Sequence, residues 1–162
     1  MGGETREFAK LALTTGASVR QLPIPGADLP GVHYLRSLAD ANTIRDRLRA
    51  GPGRVVAIGG GFIGLEIAAS ARQLGHDVTV VEALDRLIAR AVSPFVSAYY
   101  ADLHRSHGVD VLLKTAVTAI ESGSDETLNI VLGDGHVLPA DLVVVGIGSV
   151  PNTALAEAAG LS

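Results

Sequence analysis

Gly59, Gly61 and Gly64 stand in the spacing G-x-G-x-x-G, and Glu82 follows at the end of an apolar run. Such a set can hold a dinucleotide pyrophosphate by its backbone. The first glycine lets the chain turn sharply out of a strand, the second keeps side chains away from the phosphates, and the third lets a helix pack close to the strand. Gly60 removes one more side chain beside the turn. A helix that begins here offers unpaired N–H groups and the positive end of its dipole to the phosphates. Glu82 stands where a carboxylate accepts hydrogen bonds from both hydroxyls of an adenosine ribose. The same charge favours NAD over NADP, because a carboxylate within about 4 Å of a 2′-phosphate repels it by a few kcal/mol at an effective dielectric near 20. Arg86 is the nearby cation that could answer such a phosphate; an exposed arginine at a helix end is the simpler expectation for it.

These residues need elements to position them. Arg54–Ile58 is a continuous apolar run, the pattern of a parallel strand buried on both faces. Ile63, Ile67 and Ala71 then recur at helical spacing up to Leu74, Gly75 ends the helix, and Asp77–Val81 reads as the next strand. Upstream, Lys10–Thr14 and Val32–Arg36 are short strand candidates separated by a Pro- and Gly-rich turn series from Gln21 to Gly31. Ser37 and Asp40 have the spacing of a capping box for a helix with Leu38, Ile44 and Leu48 on its apolar face, stopped by Gly51-Pro52-Gly53. Downstream, Ser93-Pro94 starts a helix through Phe95, Tyr99 and Leu103 to about His107. Asp110–Lys114 is a further strand. Ala116–Glu121, Thr127–Leu132 and His136–Leu138 then read as a three-stranded antiparallel meander with its hairpin at Gly133-Asp134-Gly135. Leu142–Gly146 is again a buried parallel strand, and Pro151-Asn152-Thr153 opens a short final helix. The fold class expected is α/β, a Rossmann-like parallel sheet with a three-stranded antiparallel β-meander crossover.

Composition narrows the function. The 162 residues are 48% hydrophobic and 19% charged, enough to bury a core, and 19 are glycine. A formal net charge of −4 argues against a nucleic-acid partner, which needs a basic face. With no cysteine, a disulfide, a thiolate metal site or a cysteine nucleophile cannot form within this chain. No run approaches the roughly 18 apolar residues of a membrane helix, and the first ten residues lack the apolar centre of a secretory signal. A soluble cytoplasmic protein without a membrane partner is expected. Met1-Gly2-Gly3 reads as an arbitrary beginning. His104 and His107, with Asp102 nearby, have a spacing that could take a metal, but a solvated helix face is the expectation there and no metal site is assigned.

Four segments carry a resemblance. TTGA at Thr14–Ala17, GGGFIGLE at Gly59–Glu66, VVEALDRLIAR at Val80–Arg90 and GIGSVPN at Gly146–Asn152 occur in that order. Together they resemble the FAD-dependent pyridine nucleotide-disulfide oxidoreductases with two dinucleotide-binding domains, most closely the ferredoxin, putidaredoxin and rubredoxin reductases that serve bacterial oxygenases. The resemblance implies that this chain is the NAD-binding domain of such a protein. Residues 1–22 would be a remnant of the FAD domain and a linker, 23–147 the NAD-binding domain, and 148–162 the start of the return to the FAD domain. It implies a reaction in which NADH reduces FAD and electrons pass on to a ferredoxin- or rubredoxin-like acceptor. The fragment alone would be inactive. The implied cofactor-binding residues are Gly59, Gly60, Gly61, Phe62, Ile63 and Gly64 at the pyrophosphate, Glu66 near the nicotinamide end, Glu82 and Arg90 at the adenosine ribose, and Val145, Gly146 and Ile147 along the nicotinamide side. No catalytic side chain is assigned, since the protein's part is to orient the nicotinamide against the flavin. The alternatives are a non-catalytic NAD-sensing module and a disulfide reductase of the same superfamily whose cysteines lie outside this chain. A methyltransferase also places an acid at the end of its second strand; Gly64 and the meander speak against it.

Overall fold

The computed structural model describes residues 3, 5, 7–125 and 127–161. Met1 and Gly2 of the opening segment and Ser162 at the end of the return segment lie outside them. The elements run β1 (Ala17–Val19), β2 (Val32–Tyr34), α1 (Leu38–Arg49), β3 (Arg54–Ile58), α2 (Phe62–Gln73), β4 (Asp77–Val81), α3 (Pro94–Ser106), β5 (Val109–Leu112), β6 (Val117–Ser122), β7 (Leu128–Leu132), β8 (Val137–Ala140), β9 (Leu142–Val145), β10 (Ser149–Pro151) and α4 (Ala154–Ala158). Five strands form a parallel sheet in the order β2-β9-β3-β4-β5. β6, β7 and β8 form a separate antiparallel meander, and β1 pairs with β10 in a two-stranded ribbon.

The apolar runs are unbroken because the parallel sheet is covered on both faces. Val55 and Ala57 of β3, Val80 of β4 and Val144 of β9 pack with Ile44, Leu48, Leu65, Ala68 and Ala101 from the three long helices. Their neighbours in sequence point the other way. Val56, Ile58, Val81, Val143 and Val145 pack with Ile120, Leu128, Ile130, Leu132 and Ala140 of the meander. Three layers result: helices, parallel sheet, meander. Ser37 accepts from the Asp40 N–H while Asp40 accepts from the Ser37 N–H, so the capping box forms with aspartate. Ser93 caps α3 with Pro94 in its first turn. The turn after β7 closes with Leu132 N–H donating to His136 O at 2.8 Å and Gly135 at φ 86°.

Several expectations are corrected. Lys10–Thr14 forms no strand; the pairing partner, Ser149–Pro151, takes Ala17–Val19 instead. β10 was not expected at all. Leu38 is 77% exposed, because the inward face of α1 is Ile44 and Leu48. Phe95, Tyr99 and Leu103 also face outward, and α3 buries Ser97, Ala101 and His104 instead. His104 is therefore not on a solvated face, and the described residues contain no metal-ligating cluster.

Candidate functional site

The parallel order β2-β9-β3-β4-β5 reverses direction at β3. From β3 the chain moves by α2 to β4 on one side and returns, after β5 and the meander, to β9 on the other. In open α/β sheets a ligand binds at this switch point, outside the carboxyl ends of the strands. The two strand ends here carry Gly59-Gly60-Gly61 and Gly146-Ile147.

The glycines differ in what they do. Gly59 has φ 105°, and a Cβ on it would stand 2.6 Å from Gly146 O. A Cβ on Gly64 would collide with Gly59 O. Both positions therefore need glycine for the fold itself. Gly61 does not. Its φ is −81°, and an added Cβ would meet only Gly146 O at 3.8 Å. The space in front of Gly61 is open, which is where a pyrophosphate would approach.

The N-terminus of α2 is open in the same way. Serines accept from the first turns of α1 and α3, at Ser37 and Ser93, but Gly61 supplies no cap to α2. Its first-turn N–H groups have no intrahelical acceptors and face the strand ends with the positive end of the helix dipole. Phe62 and Ile63 are 54% and 40% exposed beside them. Ile63 lies against Gly146, whose added Cβ would be 3.6 Å from the Ile63 Cβ. Val145 is buried, while Gly146 and Ile147 are half-buried at the rim. Between the α2 N-terminus and the end of β9 these residues leave an exposed, partly apolar rim.

Glu82 lies at the end of β4, as expected, and does more than the sequence indicated. Its Oε2 accepts from the Gly60 N–H at 2.7 Å and its Oε1 from the Leu84 N–H at 2.8 Å. The carboxylate is thus fixed against the glycine turn, and each oxygen keeps acceptor capacity for a ribose hydroxyl. Glu66 and Arg90 are both exposed, and neither side chain makes a hydrogen bond among the described residues. Arg90 shares the turn series after Glu82.

Arg86 departs from expectation. Residues 83–92 form turns, not a helix. Arg86 is half-buried and donates to Ala89 O at 2.6 Å, Val92 O at 2.9 Å and Ser97 Oγ at 3.2 Å. Leu87 is fully buried, with its side chain under Gly60, and the Ile88 N–H donates to Gly60 O at 2.9 Å. Of these, sequence singled out Arg86 alone, and in a different role. The signal for Leu87 and Ile88 is the segment Val80–Arg90 that carries the resemblance, whose part after Glu82 is too short to show helical or strand periodicity.

The comparisons agree with this geometry. The family described as pyridine nucleotide-disulphide oxidoreductase matches residues 1–162. Rhodocoxin reductase of Rhodococcus erythropolis is 49% identical over 155 residues, covering 96% of this chain and 36% of its own length. Putidaredoxin reductase of Pseudomonas putida is 42% identical, covering 98% of this chain and 39% of its own. Among solved structures, a ferredoxin reductase for the CYP199A2 system from Rhodopseudomonas palustris superposes with a TM-score of 0.85 at 45% identity, covering 91% of this chain and 36% of that one. The chain thus spans well under half the length of the relatives it matches.

Proposed function

Because the chain belongs to the pyridine nucleotide-disulphide oxidoreductase family, we propose that residues 23–147 are the NAD(H)-binding domain of a flavoprotein reductase. The observation that carries this is the switch-point crevice, where the uncapped α2 N-terminus, the open face of Gly61 and the fixed Glu82 carboxylate meet. Gly59, Gly60, Gly61, Phe62, Ile63 and Gly64 would hold the pyrophosphate, and Glu82 the adenosine ribose. Val145, Gly146 and Ile147 would line the nicotinamide side. Glu66 and Arg90 are exposed close by in sequence and would close on the cofactor's two ends. Glu82 selects NADH, since a 2′-phosphate would meet its charge.

The longer protein would hold FAD, which supplies hydride acceptance and one-electron donation when bound. A ferredoxin- or rubredoxin-type protein would take the electrons, in keeping with the names of the relatives. Residues 1–22 and 148–162 belong to the FAD side in this reading. The β1–β10 ribbon supports it, because the chain enters and leaves the NAD-binding body through adjacent antiparallel strands. The reaction is placed in the cytoplasm, where NADH is made; no helix among the described residues is long and apolar enough to cross a membrane.

Calorimetric titration of this chain with NADH and NADPH tests the reading. NADH is expected to bind, and more tightly than NADPH. The chain mixed with NADH and ferricyanide is expected to show negligible turnover. Absence of NADH binding, or turnover without added flavin, would contradict it.

A further inference from the structure

The turn series after Glu82 contains an unusual backbone. Ile88 has φ 49°, in the left-handed region that β-branched residues rarely adopt, yet it is 5% exposed and well enclosed. Something must hold it there. Arg86 supplies three hydrogen bonds that bracket it, to Ala89 O before the bend closes, to Val92 O after it, and to Ser97 Oγ on α3. Ser97 is 2% exposed, and its hydroxyl in turn donates to Leu87 O. Leu87 and Ile88 both touch Gly60, one through its side chain and one through its N–H. Gly60 is also bonded to Glu82.

We infer that Arg86 is a positioning residue for dinucleotide binding: tied to Ala89, Val92 and Ser97, it fixes the Gly60 turn through Leu87 and Ile88 and never touches the cofactor. The guanidinium points inward, with both Nη1 hydrogens and one on Nη2 engaged. Three of its five N–H donors are thus committed inside the protein. Arg86 therefore sets the geometry of the pyrophosphate turn for either nicotinamide cofactor alike and contributes nothing to choosing between them. The inference rests on the proposed cofactor site for its functional half; its structural half stands on the bonds alone.

Two measurements on the intact chain separate these halves. Amide exchange in the ligand-free protein is compared between wild type and Arg86→Met, with Ser97→Ala and the double variant beside them. Exchange is expected to quicken at Ile88 and Gly60 but not at Gly59, whose N–H donates to Val81 O inside the sheet. Affinities for NADH and NADPH are expected to fall by the same factor, about tenfold, as for loss of one charge-assisted bond. Ser97→Ala should give a smaller loss in the same direction, and the double variant no more than Arg86→Met alone. Unchanged exchange at Ile88, or a uniform rise across the sheet, would overturn the inference. A larger loss for NADPH than for NADH would also overturn it, by showing that Arg86 meets the phosphate. Quickened exchange at Ile88 and Gly60 in Arg86→Met, together with a wild type that binds no NADH, would leave the bracket standing and remove the proposed cofactor site.

Discussion

The glycines of one turn act by different means. Gly64 has no room: a Cβ there would enter Gly59 O, both of them backbone and unable to step aside. Gly64→Ala is expected to destabilise the chain by about 1–3 kcal/mol, as overpacking does, seen as a lower urea midpoint. An unchanged midpoint would mean that α2 can shift away from β3. Gly60 has its space filled by Leu87 and Glu82, so it serves packing first and any ligand second. Glu82 bears two roles at once. Glu82→Ala removes two acceptors from the Gly60 and Leu84 N–H groups as well as the charge. It is expected to lower stability by roughly 1–3 kcal/mol and to raise the NADPH-to-NADH affinity ratio. If the ratio stays as in wild type, Glu82 is a bracket for the turn and not a selector of cofactor.

The elements that carry the site were legible because their patterns are periodic and their ends are marked. β3, α2 and β4 match the runs that announce them to within a residue, and Ser37, Ser93 and Gly75 mark helix ends where expected. What sequence did not reveal depends on partners far along the chain. Lys10–Thr14 is apolar enough for a strand but pairs with nothing, whereas Ala17–Val19 is a strand because Ser149–Pro151 lies beside it. α3 shows an apolar stripe through Phe95, Tyr99 and Leu103 that faces outward, while a serine and a histidine go in. Ser97 is tolerated there because Arg86 and Leu87 satisfy its hydroxyl. Two histidines, His104 buried and His33 half-buried, give these elements a pH dependence. Burial pushes His104 below the ordinary histidine value of 6.5, with His107 adding to it. Burial, then Arg47, does the same for His33, against a smaller pull from Asp40. A depressed folded pKa means that the unfolded chain binds the proton first. Stability is then full above about pH 6.5 and falls as pH drops below it. His136, held up by exposed Asp134, acts in the opposite sense, but solvent screens that pair. The urea midpoint is expected to be lower at about pH 5.5 than at about pH 7.5; an equal or higher value would show that His104 and His33 do not control it.

At the scale of the molecule, a three-layer body carries the crevice, and a two-stranded ribbon joins it to the chain on either side. Asn152 holds that ribbon, donating from its amide to Thr15 O at 2.9 Å and accepting from Ser18 Oγ at 2.8 Å. The crevice is built from β3, β9 and α2 and uses none of these bonds. Asn152→Ala is therefore expected to quicken amide exchange in β1 while leaving NADH affinity as in wild type; a parallel loss of affinity would tie the ribbon to the site. The central claim is that the open face of Gly61 receives a pyrophosphate, and it can be isolated because Gly61 alone among the motif glycines is not required by the fold. Gly61→Ala should unfold within a few tenths of a kcal/mol of wild type, the range of a change that strains nothing. Its NADH affinity, measured by calorimetry beside wild type, should fall at least about tenfold, which is about 1.4 kcal/mol of binding. Equal NADH affinity in a Gly61→Ala protein of equal stability would contradict the account.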